Sequence, residues 1–100
     1  MSRVGQIRWA ELRPNVGSEQ GGHRPVVVLV DGLPGLVIAA PLTRTDRGWV
    51  QHVRLEEGSV VMCDQVRALS PSRLGDIIGM VTPAELASIR AVLARLFQIS

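Results

Sequence analysis

The chain has 100 residues, 46% of them hydrophobic, and a formal charge of +2 from eleven arginines and nine acidic residues. That length fits one small domain spanning 1–100, and the apolar content excludes a disordered chain. A single cysteine, Cys63, excludes an internal disulfide framework, and neither a charged leader nor a bilayer-length apolar run is present, so a cytoplasmic protein without a membrane partner is expected.

Residues 4–12, VGQIRWAEL, alternate apolar and polar positions, which predicts a strand with Val4, Ile7 and Trp9 facing in and Gln6 and Arg8 facing out. Pro14 and Gly17 break it. The stretch GSEQGGHRP at 17–25 then runs into VVVLV at 26–30, a short buried strand that Pro25 can only begin, because it has no N–H for a ladder. Asp31-Gly32 and Pro34-Gly35 are turn dipeptides. LVIAAPL at 36–42 is a second buried strand, with Pro41 marking a bulge or an edge, and TRTDRGW at 43–49 reads as a loop.

Residues 50–55 predict a strand, Glu56-Glu57-Gly58 a turn, and 59–69 a longer strand that becomes polar in its middle. Five or six short strands with brief links point to a small barrel or curled sheet. Ser70-Pro71 opens a short helix or turn over 71–77. Thr82-Pro83-Ala84-Glu85 is a capping box, after which Leu86, Ile89, Leu93, Leu96 and Phe97, with Val92 beside them, follow a helical period. The aromatic residues are Trp9, Trp49 and Phe97 alone, so the core is built of Val, Leu and Ile.

Three clusters carry possible chemistry. Glu19, His23 and Arg24 stand at the mouth of a buried strand; they read either as surface charges on a glycine-rich connection or as a polar loop held by a rigid scaffold. Thr43 ends the second buried strand, as a cap or as a partner for groups at the end of the first. Asp64-Gln65-Val66-Arg67 interrupts an apolar strand, where polar groups must be paired, as a structural network or as the floor of a site. Trp49 reads either as core packing or as a platform for stacking bases beside Arg44 and Arg47. Cys63 reads as a small buried hydrophobe.

His23, His52 and Cys63 have no metal-ligand spacing, and no phosphate-binding or dinucleotide fingerprint is present, so neither a metal nor an organic cofactor is expected. The isoelectric point near 10.0 is compatible with a polyanionic partner, although no block of like charge marks a nucleic-acid tail. An all-arginine basic set suits bidentate phosphate contacts, and a high-GC genome produces the same bias.

In order along the chain, GQIRWAEL, RPNVGSEQGGHRPVVVLV, APLT, SVVMCDQVRAL, RLGDIIGMV and TPAEL resemble the MazF/PemK family of toxin ribonucleases, from about Val4 to the final helix. The resemblance implies a mainly β fold, an SH3-like barrel related to the gyrase-poison toxin CcdB, with a short helix and a C-terminal amphipathic helix. It implies a homodimer that cleaves single-stranded RNA without metal, leaving 2′,3′-cyclic phosphate and 5′-hydroxyl ends. A cognate MazE-like antitoxin is implied too, with DNA contacted only through the toxin–antitoxin complex.

The family's catalytic arginine falls on Arg24, its catalytic threonine on Thr43 and its loop glutamate on Glu19. Gln20, His23, Arg44, Arg47, Trp49, Asp64, Gln65 and Arg67 are the accompanying candidates for binding RNA or shaping the pocket. Some members use an aspartate where Asp64 stands, with an arginine two positions earlier. Here Met62 takes that place, which favours a loop-holding or pocket-shaping role for Asp64. The connections after VVVLV and between Leu55 and Ser59 are shorter than is usual in the family. For the base that deprotonates the 2′-hydroxyl, Glu19 and His23 are both open, since arginine stays charged. The alternative is a non-enzymatic CcdB-like toxin that poisons a protein target, which would not need Arg24 and Thr43 at one pocket.

Overall fold

A computed structural model describes residues 2–13, 17 and 22–98. The elements are β1 (Gln6–Glu11), β2 (His23–Leu33), β3 (Leu36–Thr43), β4 (His52–Arg54), β5 (Val60–Met62), β6 (Arg67–Leu69), β7 (Leu74–Met80) and α1 (Pro83–Leu96), with single 3-10 turns at Cys63–Gln65 and Pro71–Arg73. Pairing is antiparallel throughout, in the order β4-β5-β3-β2-β1-β7, and β6 joins β3 alongside β5. The fold is mainly β, an SH3-like barrel with one long helix packed against it, as the sequence predicts.

The sheet curls because its central strands bury both faces. Side chains alternate along a strand: in β2, Val27 and Leu29 enter one core with Ile7, Leu42, Leu55, Val61, Ile89 and Val92, while Val26 and Val28 enter a second with Ala10, Leu12, Val37 and Leu69. That is why VVVLV has no polar alternation. Strand β3 divides in the same way, Ala40 and Leu42 on one side and Val37 and Ala39 on the other. Each fully buried Val, Leu or Ile contributes about 1.5–3 kcal/mol.

Pro41 is buried and pairs with Val26, so it is neither bulged out nor on an edge. It sits where the other side of β3 changes partner, from β6 at Ala39 to β5 at Leu42. A residue without an N–H fits that gap.

Four further expectations are corrected. Strand β2 begins at His23, so His23 and Arg24 lie on the strand itself, not in a loop ahead of it, and β2 runs on through Asp31-Gly32. The apolar-polar run at 59–69 is two strands separated by the 3-10 turn at Cys63–Gln65, which is the local cause of its polar middle. The Ser70-Pro71 signal starts one turn only; Leu74–Met80 is a strand paired with β1. Finally, Trp9 does not face in: the β1–β7 register shifts between Arg8 and Ala10, Ala10 and Leu12 are buried, and Trp9 is 37% exposed.

Helix α1 starts as its capping box predicts. Thr82 Oγ1 accepts the Glu85 amide at 3.1 Å, and the Thr82 amide donates to Glu85 Oε1 at 2.8 Å. Ile89 and Val92 are buried against the first core, with Leu86 and Leu93 partly so. Among the described residues no helix is long and apolar enough to cross a membrane.

Candidate active site

The register of β2 with β3 brings two sequence-distant polar residues together. The β2–β3 ladder ends at the pair Val26 and Pro41, and Arg24 and Thr43 stand two residues beyond it on their respective strands. Both line a cavity of about 660 Å³. Its lining follows the strand order. Strand β3 and the β4–β5 turn supply Thr43, Arg44, Glu57 and Ser59, β2 supplies Arg24 and Pro25, and β1 and β7 supply Trp9, Ile78 and Met80. The polar end and the apolar end thus lie either side of Arg24.

Strand β2 also holds His23, which pairs with Glu11 and stacks on Trp9 with ring centroids 5.2 Å apart and planes 25° from parallel. The base of the β1–β2 connection is tied down by arginines. Arg67 Nη1 donates to the Leu12 carbonyl at 3.1 Å, Arg73 Nη1 donates to the Glu11 and Arg13 carbonyls, and the Leu12 amide donates to Gly22 at 2.8 Å. Glu19 and Gln20 lie outside the described residues.

At the polar end Glu57 Oε1 accepts the Ser59 amide at 2.6 Å, and Glu57 Oε2 stands 3.4 Å from Arg44 Nη1. Hydrogen bonds from Ser59, helped by the Arg44 charge, hold the Glu57 carboxyl below the usual carboxylate range. Thr43 Oγ1 accepts the Thr45 amide at 3.2 Å, which shapes the chain as it leaves β3.

The remaining candidates gather elsewhere. Trp49 is half exposed, so it is not core; Arg47 sits 5.4 Å from its ring centre and His52 packs against it at 5.2 Å. Asp64, on the 3-10 turn, approaches His52 Nε2 at 3.6 Å from Oδ1, while His52 Nδ1 is buried without a hydrogen-bond partner. Arg54 and the Asp46 carboxylate, 3.6 Å apart, brace the same loop. Asp64, Gln65, Arg47 and Trp49 do not line the main cavity, and Arg67 lines a smaller apolar cleft with Val30, Ile38, Leu93 and Phe97. The structure therefore brings Arg24, Thr43 and Arg44 to one cavity, with His23 stacked on Trp9 at its lining.

Sequence reasoning missed Glu57, Ser59 and Trp9 as cavity residues. Glu57 and Ser59 were legible only as a turn, although that turn connects to the strand paired with Thr43. Among the described residues no group of three or more His, Cys, Asp or Glu side chains is placed to hold a metal ion.

Residues 3–97 match the family model of PemK-like, MazF-like toxins of type II toxin–antitoxin systems. The chain is 34% identical over 96 residues to the endoribonuclease toxin MazF of Escherichia coli strain K12, covering 88% of this chain and 86% of that protein. Among solved structures, MazF from Deinococcus radiodurans superposes with a TM-score of 0.86 at 31% identity, over 97% of this chain and 96% of that one. A MazE–MazF structure from the same organism gives 0.82 at 31% identity, over 99% and 97%.

Proposed function

The chain belongs to the PemK-like, MazF-like toxins of type II toxin–antitoxin systems, and from that premise we propose that it cuts single-stranded RNA at a short recognition sequence by attack of a 2′-hydroxyl. It is an endoribonuclease. The juxtaposition of Arg24 and Thr43 on one cavity carries the reading, and it speaks against a toxin that only binds a protein target.

In the proposed reaction the 2′-oxygen loses its proton and bonds to the adjacent phosphorus, and the bond from phosphorus to the 5′-oxygen breaks. The products are a 2′,3′-cyclic phosphate and a 5′-hydroxyl, the latter completed by a proton from solvent water. Negative charge grows on the non-bridging oxygens, where the Arg24 guanidinium offers a planar fork of donors. The Thr43 hydroxyl adds a third donor to the same oxygens. Glu19 takes the 2′ proton, with His23 as the second candidate for this step. Arg24 remains charged and supplies electrostatic stabilisation, so the reaction needs no metal ion.

RNA would approach along the cavity, its phosphates meeting Arg44 and its bases the Trp9 ring, and would continue past it to Arg47 and Trp49. Asp64 holds His52 beneath Trp49, while Gln20, Gln65 and Arg67 bind RNA or shape the pocket around it. The 100 residues form one catalytic domain that acts in the cytoplasm as a homodimer. A cognate MazE-like antitoxin is its partner and blocks this cavity, and DNA is contacted only by the toxin–antitoxin complex.

A DNA strand carrying one ribonucleotide within the cleavage sequence tests the chemistry. Scission after that ribonucleotide alone, with a cyclic phosphate on the upstream fragment, is expected. Scission of the all-DNA strand, or 3′-hydroxyl ends, would contradict it.

A further inference from the structure

We propose that Glu57 reads a nucleobase beside the scissile phosphate and selects guanine, an inference that rests on the ribonuclease reading of the same cavity. Glu57 is the one carboxylate lining the cavity among its described residues. Its side chain is 49% exposed, so an edge remains open to a ligand. An ionised carboxylate accepts hydrogen bonds and donates none. Next to a polyanion such a group is unfavourable unless the ligand answers it with donors, and phosphate has none to offer. The 2′-hydroxyls and the bases are the parts of RNA that do, and of these only the bases differ from one nucleotide to the next.

The four bases differ in what they present. Guanine offers N1–H and the N2 amine side by side, a parallel pair that matches the two carboxylate oxygens. Cytosine and adenine each set one amine beside a ring acceptor, and uracil flanks its single imino donor with two carbonyls. In single-stranded RNA these edges are free to be read.

The carboxylate is also held in place. Ser59 donates to Oε1 at 2.6 Å, Arg44 flanks Oε2, and Val60, one residue beyond Ser59, pairs with Thr43. The turn itself is closed by hydrogen bonds from Gly58 to Leu55 at 3.0 Å and from Leu55 to Ser59 at 2.8 Å. A reading group fixed on a braced turn keeps its geometry when the ligand arrives. The same hydrogen bonds keep Glu57 ionised and weaken it as a proton acceptor, which suits recognition better than base catalysis.

The test is cleavage of a randomised RNA pool by wild type and Glu57→Gln, with cut sites sequenced, and of the preferred oligonucleotide with inosine replacing guanine. Glutamine keeps an acceptor for Ser59. The expected result is guanine enriched about tenfold or more within two nucleotides of the cut by wild type, a loss on inosine substitution, and a flattened preference in Glu57→Gln. No guanine preference there, or the same preference in both proteins, overturns the assignment. If neither protein cuts RNA, the ribonuclease reading fails by itself. Glu57 is then judged by fluorescence anisotropy with 2′-O-methyl oligonucleotides: tighter binding of guanine than uracil by wild type alone supports it, and equal affinities overturn it.

Discussion

Glu85 Oε2 accepts the backbone amide of Glu56 at 2.8 Å, while Oε1 of the same carboxylate accepts the Thr82 amide at 2.8 Å. One side chain thus caps α1 and pins the β4–β5 turn, so the helix start and one end of the cavity share a support. Glu85→Ala removes both hydrogen bonds and is expected to destabilise the fold by about 1–2 kcal/mol, against about 1 kcal/mol for Thr82→Ala, which loses the cap alone. Urea titrations of the two variants check this. Equal losses would mean that the bond to Glu56 contributes nothing.

Acid should weaken the fold in a defined window. Glu11 is lowered from 4.5 to about 2, first by its hydrogen bond from the Arg13 side chain. Glu85 is lowered mainly by the Thr82 and Glu56 amides, Asp31 by the Arg3 and Gly32 amides, and Glu57 by Ser59. A carboxyl that binds its proton less readily folded than unfolded contributes stability fully above its unfolded pKa and loses it as pH falls through the folded one. The urea midpoint should therefore stay level in this respect from pH 7 to about 5 and decline from about pH 4.5 towards 2. A midpoint that rises on acidification would show that these pairs do not stabilise the fold.

Cys63 is buried, and its thiol is pushed up to about 11, chiefly by burial and then by the Asp64 charge. Only the thiolate reacts readily with disulfide reagents. At pH 8 the native protein should leave an aromatic disulfide reagent unreacted over many minutes and consume one equivalent promptly in urea. Prompt reaction without denaturant would mean that this segment opens locally.

Arg24 and Thr43 should separate in magnitude. Arg24→Ala is expected to lose about 10²–10³ in cleavage rate, as for removal of a donor to a developing oxyanion. Arg24→Lys should recover little, because an ammonium lacks the planar fork. Thr43→Val, which removes one hydroxyl donor, should cost about tenfold or somewhat more. Single-turnover rates with matched thermal midpoints make the comparison. Full activity in Arg24→Lys would reduce the role of Arg24 to charge alone.

The elements that the sequence made legible are those set by local chemistry. VVVLV and LVIAAPL both form strands, the first longer than read, and the Thr82–Glu85 capping box forms as read, while Arg24 and Thr43 were named together by the family resemblance and not by any local pattern. Strand β7 was hidden because Ser70-Pro71 is a true cap that stops after one turn, and because Ile77, Ile78 and Met80 are exposed, leaving no buried face to impose a period. Trp9 was misplaced because a register shift against β7 depends on a partner strand more than 60 residues away. Glu57 was hidden for the same reason: its place in the cavity comes from β5 pairing with β3, which no local pattern announces.

The central claim is most directly tested by incubating the purified protein with a complex RNA pool in EDTA, beside Arg24→Ala, and mapping the new ends. Cleavage at a recurrent short sequence, with cyclic phosphate and 5′-hydroxyl ends, that is present in wild type and reduced at least about a hundredfold in Arg24→Ala, is the predicted result. An inert wild type that is folded, or cleavage that Arg24→Ala retains, would contradict it.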